Sequence, residues 1–137
     1  MDAGGYAGSI LEVDLTREKS NTTRPHEETL RKYIGGTGLA AKMLWEETTQ
    51  DTAPLSPEAP LLFMIGPLTG TAMPSSSRYV VAGISPLTGI WGEAHSGGDW
   101  ADELKHAGFD GIVLRGKADR PVYLWLHDGQ AEIRDAG

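Results

Sequence analysis

The sequence has no cysteine among its 137 residues. This absence excludes disulfides, thiolate nucleophiles and cysteine ligands for zinc or iron–sulfur clusters within the chain. Long apolar runs are also missing, since none approaches the roughly 20 residues that a membrane-spanning helix needs. Residues Met1 to Gly5 lack the basic and apolar regions of a signal peptide. We therefore expect no membrane segment and a cytoplasmic location.

Positive charge is also in short supply. The chain carries 12 lysines and arginines against 19 aspartates and glutamates, so its formal net charge is −7. The few basic residues are scattered along the sequence, and a nucleic-acid backbone would be repelled. Nucleic acid is therefore excluded as a partner.

The rest of the composition is typical of one turn-rich globular domain over residues 1–137, with 39% hydrophobic residues, 18 glycines and 8 prolines. Alternating or continuous apolar runs predict strands at Ser9 to Leu15, Leu61 to Ile65, Arg78 to Ile84, Ile112 to Leu114, Val122 to Leu126 and Gln130 to Asp135. Apolar stripes with helical spacing predict short helices that begin near Pro25, Thr37 and Trp100. Thr16 to Ser20 is predicted as a polar turn. The fold class is therefore predicted as α+β with mixed β-sheets.

The tetrapeptide Pro-Leu-Thr-Gly occurs twice, at residues 67–70 and 86–89, each time after an apolar run. Each copy predicts a rigid turn at a strand end, because proline fixes φ and threonine can bond its own backbone. The pair is expected to form a floor beneath a ligand. Two weaker echoes are Gly5 to Gly8 against Gly108 to Gly111, and Gly35-Gly36 against Gly97-Gly98. Together the repeats predict an internal duplication into two similar strand–helix halves.

A glycine-bearing loop, His95-Ser96-Gly97-Gly98, follows the second copy and precedes a predicted helix. A helix start of this kind exposes backbone N–H groups, and glycines let a phosphate come close. The alternative is that the glycines only make a tight turn. Arg78 follows three serines, where its guanidinium can fork onto a phosphate, although it could equally be a solvated arginine. These residues favour a backbone-built site for a phosphorylated ligand.

Other chemistry has little support in the sequence. No set of histidines and carboxylates has the spacing of a metal-ligand motif, and no serine has the glycine context of a hydrolase nucleophile. The four tryptophans, Trp45, Trp91, Trp100 and Trp125, are predicted to pack in the core or at its edge. Hydrolase chemistry is therefore not expected.

Five blocks of the sequence, taken in order, resemble the N-terminal domain of the tungsten-pterin aldehyde ferredoxin oxidoreductase family. The blocks are Gly8 to Thr16, Tyr33 to Ala40, Asp51 to Thr71, Ser85 to Gly89 and Ser96 to Val113. The resemblance implies a base of two similar α+β halves on which a bis-pterin cofactor with tungsten or molybdenum lies. It also implies that residues 1–137 form most of this domain, and that the family's later iron–sulfur and substrate domains are absent from the chain.

The resemblance implies cofactor-binding roles for Arg78, His95, Ser96, Gly97 and Gly98. Arg78 would contact a pterin or its phosphate, and the backbone of residues 95–98 would reach the pterin phosphates. The backbone carbonyl of His95 would bind a magnesium ion that bridges the two pterins. The family usually has asparagine where this chain has His95, so the departure concerns the side chain. No catalytic residue is expected in this chain.

By this resemblance the chain is the N-terminal part of an enzyme that oxidises aldehydes to carboxylic acids and passes electrons through a 4Fe–4S cluster to ferredoxin. Its partners would be the remaining domains of that enzyme, a homodimer is also open, and the chain alone would be inactive. Two alternatives stay open. One is a stand-alone pterin-binding or assembly protein without redox activity, and the other is a family relative that acts in acyl-CoA ring reduction.

Overall fold

The computed structural model describes residues 4–137, which form eight strands and three helices. The elements are β1 (Ile10–Asp14), β2 (Lys19–Thr23), α1 (Glu27–Tyr33), α2 (Gly36–Glu47), β3 (Leu61–Ile65), β4 (Arg78–Ile84), β5 (Trp91–Gly97), α3 (Trp100–His106), β6 (Gly111–Arg115), β7 (Val122–His127) and β8 (Gln130–Asp135). The predicted α+β class is confirmed. No helix in this range has the length and apolar character needed to cross a bilayer.

Six strands form one mixed sheet in the order β2-β1-β6-β3-β4-β5, and β7 pairs with β8 as a separate hairpin. In the large sheet β1 and β6 run parallel, while the other neighbouring strands are antiparallel. The two similar segments Gly5 to Gly8 and Gly108 to Gly111 lead into these parallel neighbours. This pairing is consistent with the predicted duplication.

The sheet is covered on both faces, and alternate strand residues supply the two halves of the core. On one face Ile10, Met64 and Val80 pack with residues of α1 and α2. On the other face buried residues such as Leu11 and Ile112 pack with α3, and the hairpin β7–β8 lies against the same cluster. The continuous apolar run of β3 is explained by this double coverage.

Both Pro-Leu-Thr-Gly copies form turns at strand ends, as predicted. They do not form one floor, because β3 and β4 are antiparallel, with Leu62 opposite Ala82 and Ile65 opposite Tyr79. The turn after β3 and the turn after β4 therefore lie at opposite ends of the sheet. The expectation of a shared floor is wrong.

Three local predictions also differ from the structure. The strand β2 replaces part of the predicted polar turn at Thr16 to Ser20, since pairing with β1 makes a strand of the polar sequence Lys-Ser-Asn-Thr-Thr. Residues 95–97 belong to β5, although a loop was expected there. Trp45 is 84% exposed, so its predicted packing in or beside the core is wrong.

A buried ion pair fastens the segment before β1 to the sheet. The Nζ of Lys105 lies 2.5 Å from a carboxylate oxygen of Asp110 and donates to the carbonyl of Gly5 at 2.7 Å. The same carboxylate accepts the backbone N–H groups of Ala7 and Gly8. A buried charge pair is tolerated only when its remaining hydrogen-bonding groups are satisfied, and here the backbone satisfies them.

Candidate functional site

The register between β4 and β5 brings two predicted site residues together. Arg78 lies opposite Gly97, and His95 lies opposite Val80. Since side chains alternate along a strand, Arg78 and His95 lie on the same face of the sheet. Val80 packs with α2 on that face, so the helix lies beside both predicted site residues.

Ser96 lies on the opposite face of the sheet. Its partner in the register is Tyr79, whose ring is 4.4 Å from that of Trp100 on the α3 side. The Ser96 hydroxyl is 3.3 Å from the carbonyl of Gly97. The structure therefore does not bring this hydroxyl together with Arg78 and His95.

The two predicted glycines serve different purposes. A Cβ added to Gly97 would lie 3.7 Å from the guanidinium carbon of Arg78, which is ordinary van der Waals contact. Gly98 has φ of 98°, a left-handed conformation that favours glycine, and an added Cβ there would meet open space. The carbonyl of Gly98 accepts a hydrogen bond from the Ser77 hydroxyl at 2.5 Å. Gly97 thus leaves space beside the Arg78 guanidinium, whereas Gly98 allows the left-handed backbone conformation at its position.

The start of α3, which the sequence offered as a phosphate site, is poorly suited to an anion. This helix has 7 residues and carries Asp102 and Glu103 in its first turn. Asp102 accepts a hydrogen bond from the backbone N–H of Gly70 at 2.8 Å. The negative charges of these carboxylates offset the positive end of the helix dipole, so the helix start attracts a phosphate only weakly.

The start of α2 has the opposite character. This helix has 12 residues, begins after Gly35, and has no acidic residue in its first turn. Ile34, just before it, has φ of 63°, which is strained for a β-branched residue. The hydroxyl of Tyr6 donates to the carbonyl of Ile34 at 2.7 Å and so helps to hold that conformation. A glycine pair before a helix with no acidic residue in its first turn is the sequence signal that indicates this site.

The start of α2, the first Pro-Leu-Thr-Gly turn, Arg78 and His95 surround one cavity of about 370 Å³. In a chain with net charge −7, none of the described residues that line this cavity is an aspartate or a glutamate. Arg78 is exposed and forms no ion pair with any residue in the range 4–137. The cavity therefore favours an anionic ligand.

Glu93 links the two elements at the rim of the cavity. One of its carboxylate oxygens accepts a hydrogen bond from the Thr37 hydroxyl at 2.9 Å, and the other lies 3.4 Å from Nε2 of His95. The contact joins the first turn of α2 to β5. Among the described residues no group of three or more histidines and carboxylates is arranged to hold a metal ion.

Comparison with known proteins identifies the family. The sequence-family model "Aldehyde ferredoxin oxidoreductase, N-terminal domain" matches residues 10–137. This chain belongs to that family. The tungsten-containing aldehyde ferredoxin oxidoreductase of Pyrococcus abyssi is 47% identical over 132 residues, which is 96% of this chain and 22% of the relative. The enzyme of the same name from Pyrococcus horikoshii is 45% identical over the same shares.

A solved structure agrees with this aldehyde ferredoxin oxidoreductase assignment. The active site complex BamBC of benzoyl coenzyme A reductase, in complex with 1,5-dienoyl-CoA, matches with a TM-score of 0.94 and 39% sequence identity. The match covers 96% of this chain and 20% of that one. The chain therefore spans about a fifth of the length of the relatives it matches.

The residues of this aldehyde ferredoxin oxidoreductase domain fit a phosphorylated cofactor in their chemistry. Arg78 supplies a guanidinium without a partner carboxylate among residues 4–137, and the first turn of α2 supplies backbone N–H groups at the positive end of a helix dipole. Both donate hydrogen bonds of the kind that phosphate oxygens accept. His95 lies on the same face as Arg78, with its Nε2 beside Glu93.

Proposed function

We propose that this chain is the N-terminal, cofactor-binding part of a longer oxidoreductase that oxidises aldehydes to carboxylic acids and transfers the electrons to ferredoxin. The name and the 47% identity of the Pyrococcus abyssi relative support this substrate class. Because the chain spans about a fifth of that relative, the proposed activity belongs to the longer protein and not to these 137 residues alone. The proposed 4Fe–4S cluster also lies in other domains, since this chain has no cysteine.

The proposed cofactor is a bis-pterin with tungsten or molybdenum, held at the cavity between β4, β5 and the start of α2. The observation that carries this proposal is a cavity in which Arg78 and His95 share one face and whose lining within residues 4–137 contains no aspartate or glutamate, although Glu93 lies at its rim. When bound, the metal and its dithiolene ligands supply the redox chemistry, and the protein contributes orientation and hydrogen bonding.

Each residue of the site has a separate part in the proposal. Arg78 binds a phosphate through two parallel N–H bonds, for which the planar guanidinium is suited. Gly97 leaves room beside the guanidinium, and Gly98 turns the backbone of Ser96 to Gly98 at the end of β5. The backbone carbonyl of His95 would be a ligand of a magnesium ion, and the His95 ring lies beside Glu93, with Nε2 at 3.4 Å from a carboxylate oxygen.

The test compares Arg78→Ala and Gly97→Ala with wild type in the complete enzyme. Gly97→Ala is informative because its added methyl group meets only ordinary contacts within the domain, the nearest at 3.5 Å, so the fold is retained. Thr22→Ala on the exposed strand β2 is the matched control. The measurements are tungsten or molybdenum content and released pterin, each per mole of folded protein.

Arg78→Ala is expected to weaken cofactor binding by about 10- to 100-fold, since hydrogen bonds to charged groups contribute about 1.5–3 kcal/mol. Gly97→Ala should lower cofactor content while leaving the thermal midpoint near that of wild type. Normal metal and pterin content in both variants would contradict the proposed site.

A second candidate function is supported by the benzoyl coenzyme A reductase match. In that case the longer enzyme would reduce the ring of an acyl-CoA instead of oxidising an aldehyde. The two reactions are distinguished by assaying the complete enzyme with aldehydes and with benzoyl-CoA or 1,5-dienoyl-CoA. An immunoblot of source cells tests the third possibility, because a native band at 14.7 kDa would favour a stand-alone pterin-binding or assembly protein.

A further inference from the structure

A second, larger cavity lies at the other end of α2, away from the cofactor cavity. This groove has a volume of about 780 Å³ and is bordered by the last turns of α2, the segment that follows it, and the turn between β4 and β5. Its lining includes Leu44, Trp45, Ile84, Ile90 and Trp91. Within residues 4–137, no residue lines both this groove and the cofactor cavity, so the two are distinct.

The groove carries large apolar side chains that the domain itself does not bury. Trp45 is 84% exposed and Ile90 is 68% exposed, and Leu87, beside Ile90 on the same turn, is 92% exposed. Single exposed apolar residues are common on protein surfaces, but a contiguous apolar patch around a concave groove indicates a contact surface. Trp45 and Ile90 line the groove, and Leu87 adds a further exposed apolar side chain on the turn that borders it.

The groove is also free of charge within the part of the chain that the structure describes. Charged residues make up 23% of the sequence, yet none of the described residues that line the groove is charged. The polar lining consists of threonines and a glutamine, and the Thr48 and Thr52 hydroxyls are engaged with nearby backbone groups. Depletion of charge together with tryptophan is typical of the buried centre of an interface.

We propose that this groove is the surface on which the rest of the longer enzyme docks, by inserting an apolar segment from beyond the region that this chain matches. The lengths of the relatives support this occupant, because about four-fifths of each matched relative lies outside the matched region and must pack somewhere. This docking inference rests on the proposed function only because it treats the chain as part of a longer enzyme. The segment that occupies the groove would be uncharged and would carry large apolar side chains.

The experiment places a photo-crosslinking aromatic residue in the complete enzyme, as Trp45→p-benzoylphenylalanine, so that an aromatic side chain is retained at the groove. Thr22→p-benzoylphenylalanine on β2, at the opposite edge of the sheet from β5, is the matched control. Irradiated protein is digested, and crosslinked peptides are identified by mass spectrometry. Cofactor content is measured on the same samples.

Crosslinks from position 45 to the same polypeptide beyond the matched region are expected, with no comparable product from position 22. Adding Ile90→Lys should lower the yield from position 45 by about tenfold or more, as for a central contact of an interface. Crosslinks only to a second copy of this domain, or no crosslinks at position 45, would overturn the proposal. Normal crosslinking in a protein without pterin would leave the docking inference standing while contradicting the proposed cofactor site.

Discussion

Residues 67–70 and 86–89 have the same four amino acids and each form a turn at a strand end, yet their surroundings differ. The glycine that ends each turn is left-handed, with φ of 72° at Gly70 and 71° at Gly89. The first turn borders the proposed cofactor cavity, and the second borders the proposed docking groove. The shared sequence therefore places a left-handed glycine at the end of both turns, while the surrounding residues differ.

The first turn is enclosed by other parts of the domain. The Thr69 side chain is 2% exposed and donates to the carbonyls of Ser76 and Arg78. A Cβ added to Gly70 would lie 2.8 Å from Cγ of Lys105, which is held by its buried ion pair. This turn therefore connects the backbone of Arg78 to Lys105 and its buried ion pair with Asp110.

The second turn is open to solvent. Leu87 is 92% exposed, and a Cβ added to Gly89 would meet nothing within 4 Å. Its hydrogen bonds are local, between Ser85 and the turn residues Thr88 and Gly89. A turn of this kind keeps its shape without tertiary contacts, which leaves its side chains free for a partner.

Replacing the final glycine of each turn should produce the largest difference in stability between the two turns. Alanine in the left-handed conformation costs roughly 1–2 kcal/mol, which is the loss expected for Gly89→Ala. Gly70→Ala also introduces a clash with Lys105, and overpacking of this kind should lower the free energy of unfolding by a further amount of about 1–3 kcal/mol. Unfolding in denaturant should therefore show a larger loss for Gly70→Ala. Equal losses in the two variants would mean that the enclosure of the first turn has no energetic consequence.

Threonine substitution tests the same difference with a smaller expected effect. Thr69→Val removes a buried hydroxyl that is bonded to two carbonyls, so we expect a loss of about 1–2 kcal/mol in the free energy of unfolding. Thr88→Val on the exposed turn should change stability by less than about 0.5 kcal/mol. Thr69→Ser should restore most of the loss, because it keeps the hydroxyl. Failure of serine to restore stability would assign the effect to packing instead of hydrogen bonding.

The smallest expected effect concerns Tyr6, in the segment that crosses the first turn. Burial, and then the negative charge of Asp110, raise the pKa of the Tyr6 hydroxyl. The folded state therefore holds the phenol proton more tightly than the unfolded state does. This contribution to stability is complete below the ordinary tyrosine pKa and is lost as pH rises through the raised value.

The check is the unfolding midpoint of wild type and of Tyr6→Phe between about pH 8 and about pH 12, a range that spans the ordinary tyrosine pKa. Wild type should lose more stability than Tyr6→Phe as the pH rises. No comparable difference is expected at the second turn, whose hydrogen bonds within residues 4–137 involve no titratable side chain. Parallel pH profiles for the two proteins would contradict a raised pKa of Tyr6 in the folded state.

The predictability of the fold followed the strength of the apolar pattern. β3 and β4 were predicted at their observed bounds, because a covered strand must carry apolar residues. β2 and β5 were missed because polar and glycine-rich strands have no such pattern. Both lie at the edges of the sheet, where pairing with a neighbouring strand supplies the order that their own residues do not.

The site was only partly predictable for a related reason. Arg78 and His95 were named from the sequence, and the register between β4 and β5 places them on one face. The position of Ser96 on the other face depends on that register, which no local motif encodes. The contribution of α2 to the site could not be predicted from the sequence, because a glycine pair before a helix looks the same whether or not a cavity lies beside it.

The helix α2 fixes the separation between the proposed cofactor cavity and the proposed docking groove. Gly36 lines the cavity at one end of the helix and Trp45 lines the groove near the other. Each residue of an α-helix adds about 1.5 Å of length and about 100° of rotation, so the number of residues between these positions sets both distance and angle. Insertion of a single residue between Gly36 and Trp45 would rotate Trp45 away from the groove, while the N-terminal end of α2 would stay at the cavity. The spacing within α2 is therefore as much a part of the geometry as any side chain.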